Sequence, residues 1–396
     1  MTAGETLPLH DIRLLDCSRV LAGPVATMLL ADLGADVVKL EPPAGDETRT
    51  WGPPFWGDPR DGRSAYFAAV NRNKRGIAVD LKTPQGREIL DRLAARADVL
   101  VHNFRPATAE RLGLDSDRLR RHHPHLVVSM VGGFPGDERA RDQPAYDLLA
   151  QAMSGLMSVT GEAGGEPMKV GVALLDLIAG QNLAIGVLVA LLAQPRQAVR
   201  SVETQLVEVG VTSLLNVLAN YLASGDEHDR YGNAHPNIAP YQSFQTADGH
   251  LVVAVGNDAQ FARLLKTLGL AGGDPRFATN AGRLAHRADL ERWLAAAIAR
   301  RSRDELVEAL AAADVPAGPV LSVAEAVGAM QDAHGGAWLQ EIDGMRLAPN
   351  PILVDGGRTP LRLPPPRLGE HTTEVLREVG FDDAAIAELY RAEVVR

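Results

Sequence analysis

The sequence has 396 residues, of which 46% are hydrophobic and 23% charged, and its formal net charge is −10. This size and composition predict a large buried core and two structural units, and they exclude a disordered chain. The acidic balance argues against a nucleic-acid partner, which would need a basic face. The one cysteine, Cys17, excludes an internal disulfide framework, and the sequence after Met1 has no secretion-signal pattern, so we expect a cytoplasmic protein.

Strand and helix patterns alternate through the first third of the chain. The predicted strands lie at 12–16, 36–41, 76–80, 98–102 and 126–130. A turn at 22–24 leads into a predicted helix over 25–33, and a second helix is predicted over 84–97. Strands separated by helices predict parallel βαβ units and an α/β fold, although the first turn lacks the GxGxxG spacing of dinucleotide-binding proteins.

An apolar segment over 177–193 follows Asp176. It is interrupted by polar and glycine residues, and it is shorter than the roughly 20 residues that a membrane span needs. We therefore predict a core helix and no membrane partner. Asp176 directly precedes this segment, and an aspartate there usually caps the helix, which contributes about 1 kcal/mol.

The rest of the chain predicts a smaller α+β region and a return to turn-rich strands. A helical region over 207–224 leads to a loop at 231–240. Strands are predicted at 243–246 and 250–255, and helices at 258–268, 287–300 and 304–313. From about residue 322 the pattern indicates turn-rich strands, followed by a terminal helix.

Eight short motifs appear in order along almost the whole chain. They are 19–24 (RVLAGP), 33–41 (LGADVVKLE), 45–49 (GDETR), 71–75 (NRNKR), 103–106 (NFRP), 111–113 (RLG), 171–176 (GVALLD) and 368–373 (LGEHTT). Together they resemble the family III CoA-transferases, which include formyl-CoA transferase, carnitine CoA-transferase and α-methylacyl-CoA racemase. Within this family, 48–55 (TRTWGPPF), 219–222 (ANYL), 232–235 (GNAH) and 238–241 (IAPY) are most similar to succinyl-CoA:glutarate transferases.

The resemblance implies a Rossmann-like large domain built from both chain ends, with a small α+β domain between them. We expect the large domain to occupy 1–205 and 322–396, and linker helices with the small domain to occupy 206–321. The resemblance also implies an interlocked homodimer. It implies no metal and no tightly bound cofactor, since coenzyme A and acyl-CoA are substrates.

The resemblance implies that Asp176 is the catalytic nucleophile and that it forms covalent intermediates with the acyl group and with CoA. A free aspartate has a pKa near 3.9, and even a rise of ~2 would leave roughly nine-tenths ionised at pH 7. The nucleophile therefore needs no partner base. Capping and catalysis are compatible roles for this one residue.

Coenzyme A carries phosphates, so its site needs local positive charge. By resemblance, Lys82, Asn103, Phe104, Arg105 and Arg111 hold the nucleotide end. Leu21 and Ala22 line the pantetheine path, and Tyr146 lies near the thioester. A basic cluster at Arg72, Lys74, Arg75 and Lys82 is a further candidate, and a solvated basic surface is the alternative.

Four residues are candidates for contacting the carboxylic acid substrates. They are Arg49, Trp51, His235 and Asn237. Arg49 suits a distal carboxylate because its guanidinium is a bidentate donor, and an ion pair with Asp46 or Glu47 is the alternative. The alternative for Trp51 is a position in the core, and the alternative for His235 is a position on the surface.

Departures from the family pattern narrow the function. Leu21 replaces a glutamine of formyl-CoA transferases, and 234–237 (AHPN) replaces their polyglycine loop. Tyr146 stands where racemases have a histidine, and an ordinary tyrosine is a poor base near neutral pH. We therefore predict CoA transfer to a dicarboxylate. The alternatives are a racemase-type isomerase and a non-catalytic CoA-binding protein. The loop 132–137 (GGFPGD) also departs from the family's GFGQxGP-like pattern, without an explanation from sequence.

Overall fold

A computed structural model describes residues 7–195 and 198–396, which form two compact units. The larger unit combines the chain up to Leu156 with Val170–Leu222 and Gly336–Arg396. The smaller unit combines Met157–Lys169 with Ala223–Gly335. These bounds differ from the predicted division at 206 and 321, because the first helices after 206 stay with the larger unit and the smaller unit extends to 335.

The described strands are β1 (Arg13–Asp16), β2 (Asp36–Glu41), β3 (Lys74–Ala78), β4 (Val99–His102), β5 (Val127–Gly132), β6 (Ser201–Gln205), β7 (Tyr241–Gln245), β8 (His250–Ala254), β9 (Ala317–Pro319), β10 (Gln340–Ile342), β11 (Met345–Leu347), β12 (Leu353–Val354) and β13 (Gly357–Arg358). The described α-helices are α1 (Ala22–Asp32), α2 (Ala65–Ala69), α3 (Pro84–Ala94), α4 (Pro106–Leu112), α5 (Ser116–His122), α6 (Glu138–Arg141), α7 (Asp147–Met153), α8 (Leu156–Val159), α9 (Leu174–Leu192), α10 (Leu206–Ser213), α11 (Asn216–Ser224), α12 (Asp258–Thr267), α13 (Asn280–Ala285), α14 (Arg287–Ile298), α15 (Arg303–Ala312), α16 (Val323–Ala333), α17 (Thr372–Glu378) and α18 (Asp383–Arg391).

The larger unit contains a parallel sheet in the order β3-β2-β1-β4-β5-β6. This is the strand order of doubly wound Rossmann folds, so the predicted α/β class is confirmed. The order reverses between β1 and β4. Ligands of such folds bind at this point, at the carboxyl ends of the strands.

Both faces of this sheet are buried, as neighbouring residues on each strand show. Leu15 and Val38 belong to one buried cluster, together with side chains of α3, α17 and α18. Leu14 and Val37 belong to the other, together with side chains of α1 and α9. Because successive strand residues point to opposite faces, the sheet is a central layer between helices.

The apolar helix after the predicted cap differs from its prediction in two ways. Helix α9 begins at Leu174, so Asp176 lies inside its first turn, and Ala173 holds the N-cap position. One face is buried in the sheet cluster, but the opposite face exposes Leu177, Ile185, Val189 and Leu192. Among the described residues, α9 is long and apolar enough to cross a membrane, judged by length and composition only. The same is true of the bent pair α10 and α11 when the two helices are taken together.

The smaller unit has its own core beneath an antiparallel sheet in the order β7-β8-β9. Leu251 and Val253 on β8 pack with Leu264 on α12, Leu294 on α14 and Leu306 on α15. The α+β prediction matches this arrangement. The prediction of strands from residue 322 is wrong at α16, which is a helix.

Candidate active site

A cavity of about 510 Å³ opens at the carboxyl ends of β1, β4, β5 and β6. The sequence-predicted residues that line it are Leu21, Ala22, Lys82, Asn103, Phe104, Arg105, Arg111, Tyr146 and Asp176. These residues come from distant parts of the sequence, and the strand order brings them to one edge of the sheet. The position agrees with the general rule for ligand sites in this class of fold.

The loop between β1 and α1 is held by a buried network of charges. Asp16 accepts hydrogen bonds from Thr27 Oγ1 at 2.7 Å and from Lys74 Nζ at 3.0 Å. Burial would raise the pKa of Asp16, but Lys74, Lys39 and neighbouring hydroxyl groups lower it to about 2. A buried carboxylate paired in this way anchors the start of the loop, since separating the pair would leave an uncompensated charge.

The same loop is fixed where it enters the cavity. Val20 has a positive φ of 65°, which is rare for a β-branched residue, and its N–H donates to Asp46 at 3.3 Å. The Asn103 side chain accepts from Arg19 N at 2.9 Å and donates to Arg19 O at 2.7 Å. Asn103 therefore clamps the loop that presents Leu21 to the cavity.

The basic residues divide into cavity-lining and structural groups. Arg19, Lys82, Arg105, Arg111 and Arg141 line the cavity. The candidates Arg72, Lys74 and Arg75 do not line the cavity, and Arg72 and Lys74 are buried rather than on a solvated surface. Arg72 pairs with Asp32 at 2.7 Å, Lys74 pairs with Asp16, and Arg75 pairs with Asp36 and two glutamates.

Asp176 lies at the cavity wall and is only 9% exposed. Asp147, at the start of α7, accepts hydrogen bonds from Leu175 N at 2.8 Å and from Asp176 N at 3.2 Å. Burial, and then the negative charge of Asp147, raise the pKa of Asp176 to about 7. The rise is larger than the sequence-based expectation, because Asp147 was not foreseen.

Asp147 and Gln151, one turn apart on α7, together hold the segment that leads into Asp176. Gln151 Nε2 donates to Asp147, and Gln151 Oε1 accepts from Val170 N at 2.8 Å. Together with the bonds from Leu175 N and Asp176 N to Asp147, this fixes the residue before the GVALLD motif and the last two residues within it. No signal in the sequence connected these hydrogen-bonded residues, which are separated by 19 to 29 positions.

Tyr66 on α2 is a second residue that sequence reasoning missed. Burial, followed by the negative charges of Asp176, Asp147 and Asp46, raises the pKa of Tyr66 to about 12. Its phenol is therefore protonated near neutral pH. The Tyr66 ring meets the Trp51 ring edge-on at 5.0 Å, so Trp51 packs beside this aromatic group although it does not line the cavity.

The predicted substrate contact by Arg49 is not supported by its surroundings. The Arg49 guanidinium is 4% exposed and forms two hydrogen bonds with Glu41, at 2.7 and 2.6 Å. It also lies 3.8 Å from the centre of the Phe67 ring. A saturated, buried guanidinium has a structural role, and its partner is neither of the two acids expected from sequence.

His235 and Asn237 lie in the smaller unit, in the loop before β7. His235 Nδ1 accepts from Asn237 N at 3.1 Å, and the His235 ring contacts Tyr241 edge-on at 5.3 Å. Their predicted substrate contacts stay predictions. Metal binding finds no support in the part of the chain that the structure describes, which has no cluster of three or more His, Cys, Asp or Glu suited to a metal.

A Rossmann-like sheet with a buried carboxylate and cationic side chains at its switch point is typical of α/β enzymes that bind anionic ligands. The sequence profile of CoA-transferase family III matches residues 9–372. The chain belongs to CoA-transferase family III, and the predicted family and enzyme class are confirmed.

Three similar proteins illustrate this relationship. A succinate–glutarate CoA-transferase of Agrobacterium fabrum is 41% identical over 94% of this chain and 96% of its own length. The human succinyl-CoA:glutarate CoA-transferase is 38% identical over 98% of this chain and 90% of its own length. A crystal structure of a CAIB/BAIF family protein from Brucella suis has a TM-score of 0.83 and 39% identity, covering 95% of this chain and all of that one. The predicted similarity to succinyl-CoA:glutarate transferases is therefore confirmed.

Proposed function

We propose that this enzyme transfers CoA from succinyl-CoA to a second dicarboxylate through covalent intermediates on Asp176. The observation that carries the proposal is the position of this carboxylate, buried in the wall of the cavity that holds the cationic side chains. The relatives named for succinate and glutarate support the choice of dicarboxylates.

The first half of the reaction loads CoA onto the enzyme. The Asp176 carboxylate attacks the thioester carbonyl of the donor, the carbon–sulfur bond breaks, and a mixed anhydride and the CoA thiolate form. The thiolate then attacks the Asp176 carbonyl of the anhydride. This step releases the donor acid as a carboxylate and leaves an aspartyl-CoA thioester.

The second half reverses these bond changes with another acid. The acceptor carboxylate attacks the aspartyl thioester, which gives a new anhydride and frees the CoA thiolate. The thiolate attacks the acyl carbonyl of the acceptor, so acyl-CoA leaves and the Asp176 carboxylate is restored. No net proton transfer is required at any step.

The surroundings of Asp176 suit this role. With a pKa of about 7, roughly half of the carboxylate is ionised at neutral pH. A carboxylate with a raised pKa is a more basic nucleophile than a free aspartate, and burial limits hydrolysis of the anhydride by water. The bonds from Asp147 to Leu175 N and Asp176 N fix the backbone of the attacking residue.

Exchange of labelled succinate into succinyl-CoA tests this proposal directly. We expect the wild type to exchange label and Asp176→Asn, which keeps the side-chain shape, to lose essentially all exchange. Solvent deuterium at the α-carbon of an acyl-CoA, without exchange of succinate, would instead identify an isomerase. CoA binding without either reaction would identify a non-catalytic protein.

The proposal includes a homodimer, interlocked as in the family. Ile185, Val189 and Leu192 on α9 are 59%, 56% and 76% exposed, and Leu215 and Leu222 near α11 are 73% and 72% exposed. Such an apolar surface is typical of a subunit interface. Light scattering should give twice the chain mass of 42.3 kDa, and a monomer at micromolar concentration would contradict this part. A cytoplasmic location, testable by cell fractionation, is also proposed.

A further inference from the structure

Gln205 is a buried polar residue in the cavity that the proposed mechanism does not use. It ends β6, directly opposite Gly132 at the end of β5, and it lines the cavity together with Asp176. Gln205 is only 8% exposed, and its Oε1 atom has no hydrogen-bond partner among the described residues. This oxygen is itself shielded from solvent, but it is the far end of a flexible side chain that lines the cavity. A buried carbonyl oxygen left without a donor costs free energy, so rotation of the side chain toward a ligand donor would be favourable.

The strand ends are built so that Gln205 can occupy this position. A Cβ atom on Gly132 would lie 2.0 Å from Gln205 Oε1, and a Cβ on Gly133 would lie 2.2 Å from the Cβ of Ala145. Gly133 is therefore required, because the Ala145 Cβ cannot move aside, whereas at Gly132 the flexible end of Gln205 would have to shift. Val207 N also donates to Gly133 O at 3.1 Å, which ties the chain beside Gln205 to the same loop. These contacts give a physical role to the two glycines that begin the 132–137 loop.

The same contacts place Gln205 toward the reactive end of the cavity. Gly133 packs on Ala145, which directly precedes Tyr146 and the Asp147 that binds the backbone of Asp176. The part of a CoA thioester next to the reacting carbonyl is the pantetheine arm. This arm carries two secondary amides, each with one N–H donor and one carbonyl acceptor.

Hydrogen-bond chemistry favours this arm over the acyl group. Gln205 Oε1 needs a donor, and an ionised dicarboxylate has only acceptors. A pantetheine amide N–H can supply the donor, while Gln205 Nε2 can donate to a pantetheine carbonyl. We propose that Gln205 hydrogen-bonds the pantetheine amides of the CoA thioester and thereby positions the thioester carbonyl at Asp176. The inference rests on the proposed function, since it requires CoA to bind in this cavity.

Two ligands separate this role from a general effect on the cavity. Free CoA contains the pantetheine arm but no acyl group, whereas 3′-phosphoadenosine 5′-diphosphate contains only the nucleotide end. By calorimetry, Gln205→Leu should raise the dissociation constant for CoA by roughly three- to tenfold, the loss of one hydrogen bond. It should leave the affinity for the nucleotide fragment unchanged.

Gln242→Leu is the matched control, because Gln242 on β7 in the smaller unit also has an Oε1 without a partner. This variant should bind both ligands as the wild type does. Unchanged CoA affinity in Gln205→Leu, or equal losses for both ligands, would overturn the inference. Unchanged CoA affinity with altered selectivity between succinyl-CoA and acetyl-CoA would also overturn it, and would assign Gln205 to the acyl group. If the wild type itself failed to bind CoA, this result would contradict the proposed function rather than the role of Gln205 alone.

Discussion

Asp147→Asn tests whether a neighbouring charge sets the ionisation of Asp176. The carboxamide keeps an oxygen that can accept from Leu175 N and Asp176 N, but the negative charge is gone. The bond from Gln151 Nε2 is also lost, because an amide nitrogen replaces its acceptor oxygen. We therefore expect the pKa of Asp176 to fall while the first turn of α9 keeps its backbone hydrogen bonds. The acid limb of the pH–rate profile should move to lower pH.

The expected size of this change follows from the causes of the raised pKa. The pKa of Asp176 rises from 3.8 to about 7, and burial is the larger of its two causes, so Asp147 accounts for less than half of the rise. Removing the charge should lower the pKa by about one, to about 6. At pH 6 the ionised fraction would then increase from roughly one-tenth to one-half, so the rate at pH 6 relative to pH 8 should increase about fivefold.

The assay measures kcat/KM for succinate exchange with succinyl-CoA between pH 5 and 9. Ionisation of the substrates is the same for wild type and variant, so the difference in midpoint belongs to the enzyme. Asp147→Ala is the comparison variant, because it removes the charge and also the hydrogen bonds from Leu175 N and Asp176 N that Asp147→Asn keeps. Its midpoint should also move, but its plateau rate should fall further. An unchanged midpoint in Asp147→Asn would refute the electrostatic reasoning.

Three further predictions test the cavity and the buried charges. Arg111→Ala should weaken CoA binding by roughly three- to tenfold in calorimetry, less so at high salt, and unchanged affinity would remove Arg111 from the site. Burial lowers the pKa of His102 to about 4, so as the pH falls below 6.5 the unfolded state takes up a proton before the folded state does. Urea titrations should therefore show a loss of up to about 3 kcal/mol of stability between pH 6.5 and 4. An equal loss in His102→Asn would contradict this explanation. Lys74→Met leaves the Asp16 carboxylate buried without the ammonium group that lies 3.0 Å away. This change should lower the free energy of unfolding by about 3–5 kcal/mol. A loss below about 1 kcal/mol would show that the ion pair is not structurally important.

Much of the α/β fold could be predicted because its strands are short apolar runs between clear helix signals. The bounds of β2 match the prediction, and α3 differs only at its end. Strand β6 was missed because its side chains alternate in exposure at the sheet edge and it has no continuous apolar run. The turn predicted at 22–24 is the first turn of α1, where a proline is readily accommodated.

Some differences between the predicted and the observed structure have a cause that is visible in the local sequence, and the others depend on long-range contacts. Ser322 and Glu325 form a capping box, which is a readable sign that α16 is a helix. By contrast, the pairing of Arg49 with Glu41 and the contact of Asp147 with the Asp176 turn depend on tertiary packing. Sequence placed Asp176 at the start of the apolar helix, but only the fold shows the second carboxylate beside it.

The central claim is that the Asp176 carboxyl group carries CoA during turnover. Enzyme incubated with succinyl-CoA and no added acceptor acid, then quenched and digested, should yield a peptide containing Asp176 with the added mass of CoA less one water. Hydroxylamine should remove this mass, and Asp176→Asn should never acquire it. A wild-type enzyme that turns over while this peptide stays unmodified at every time point would contradict the mechanism.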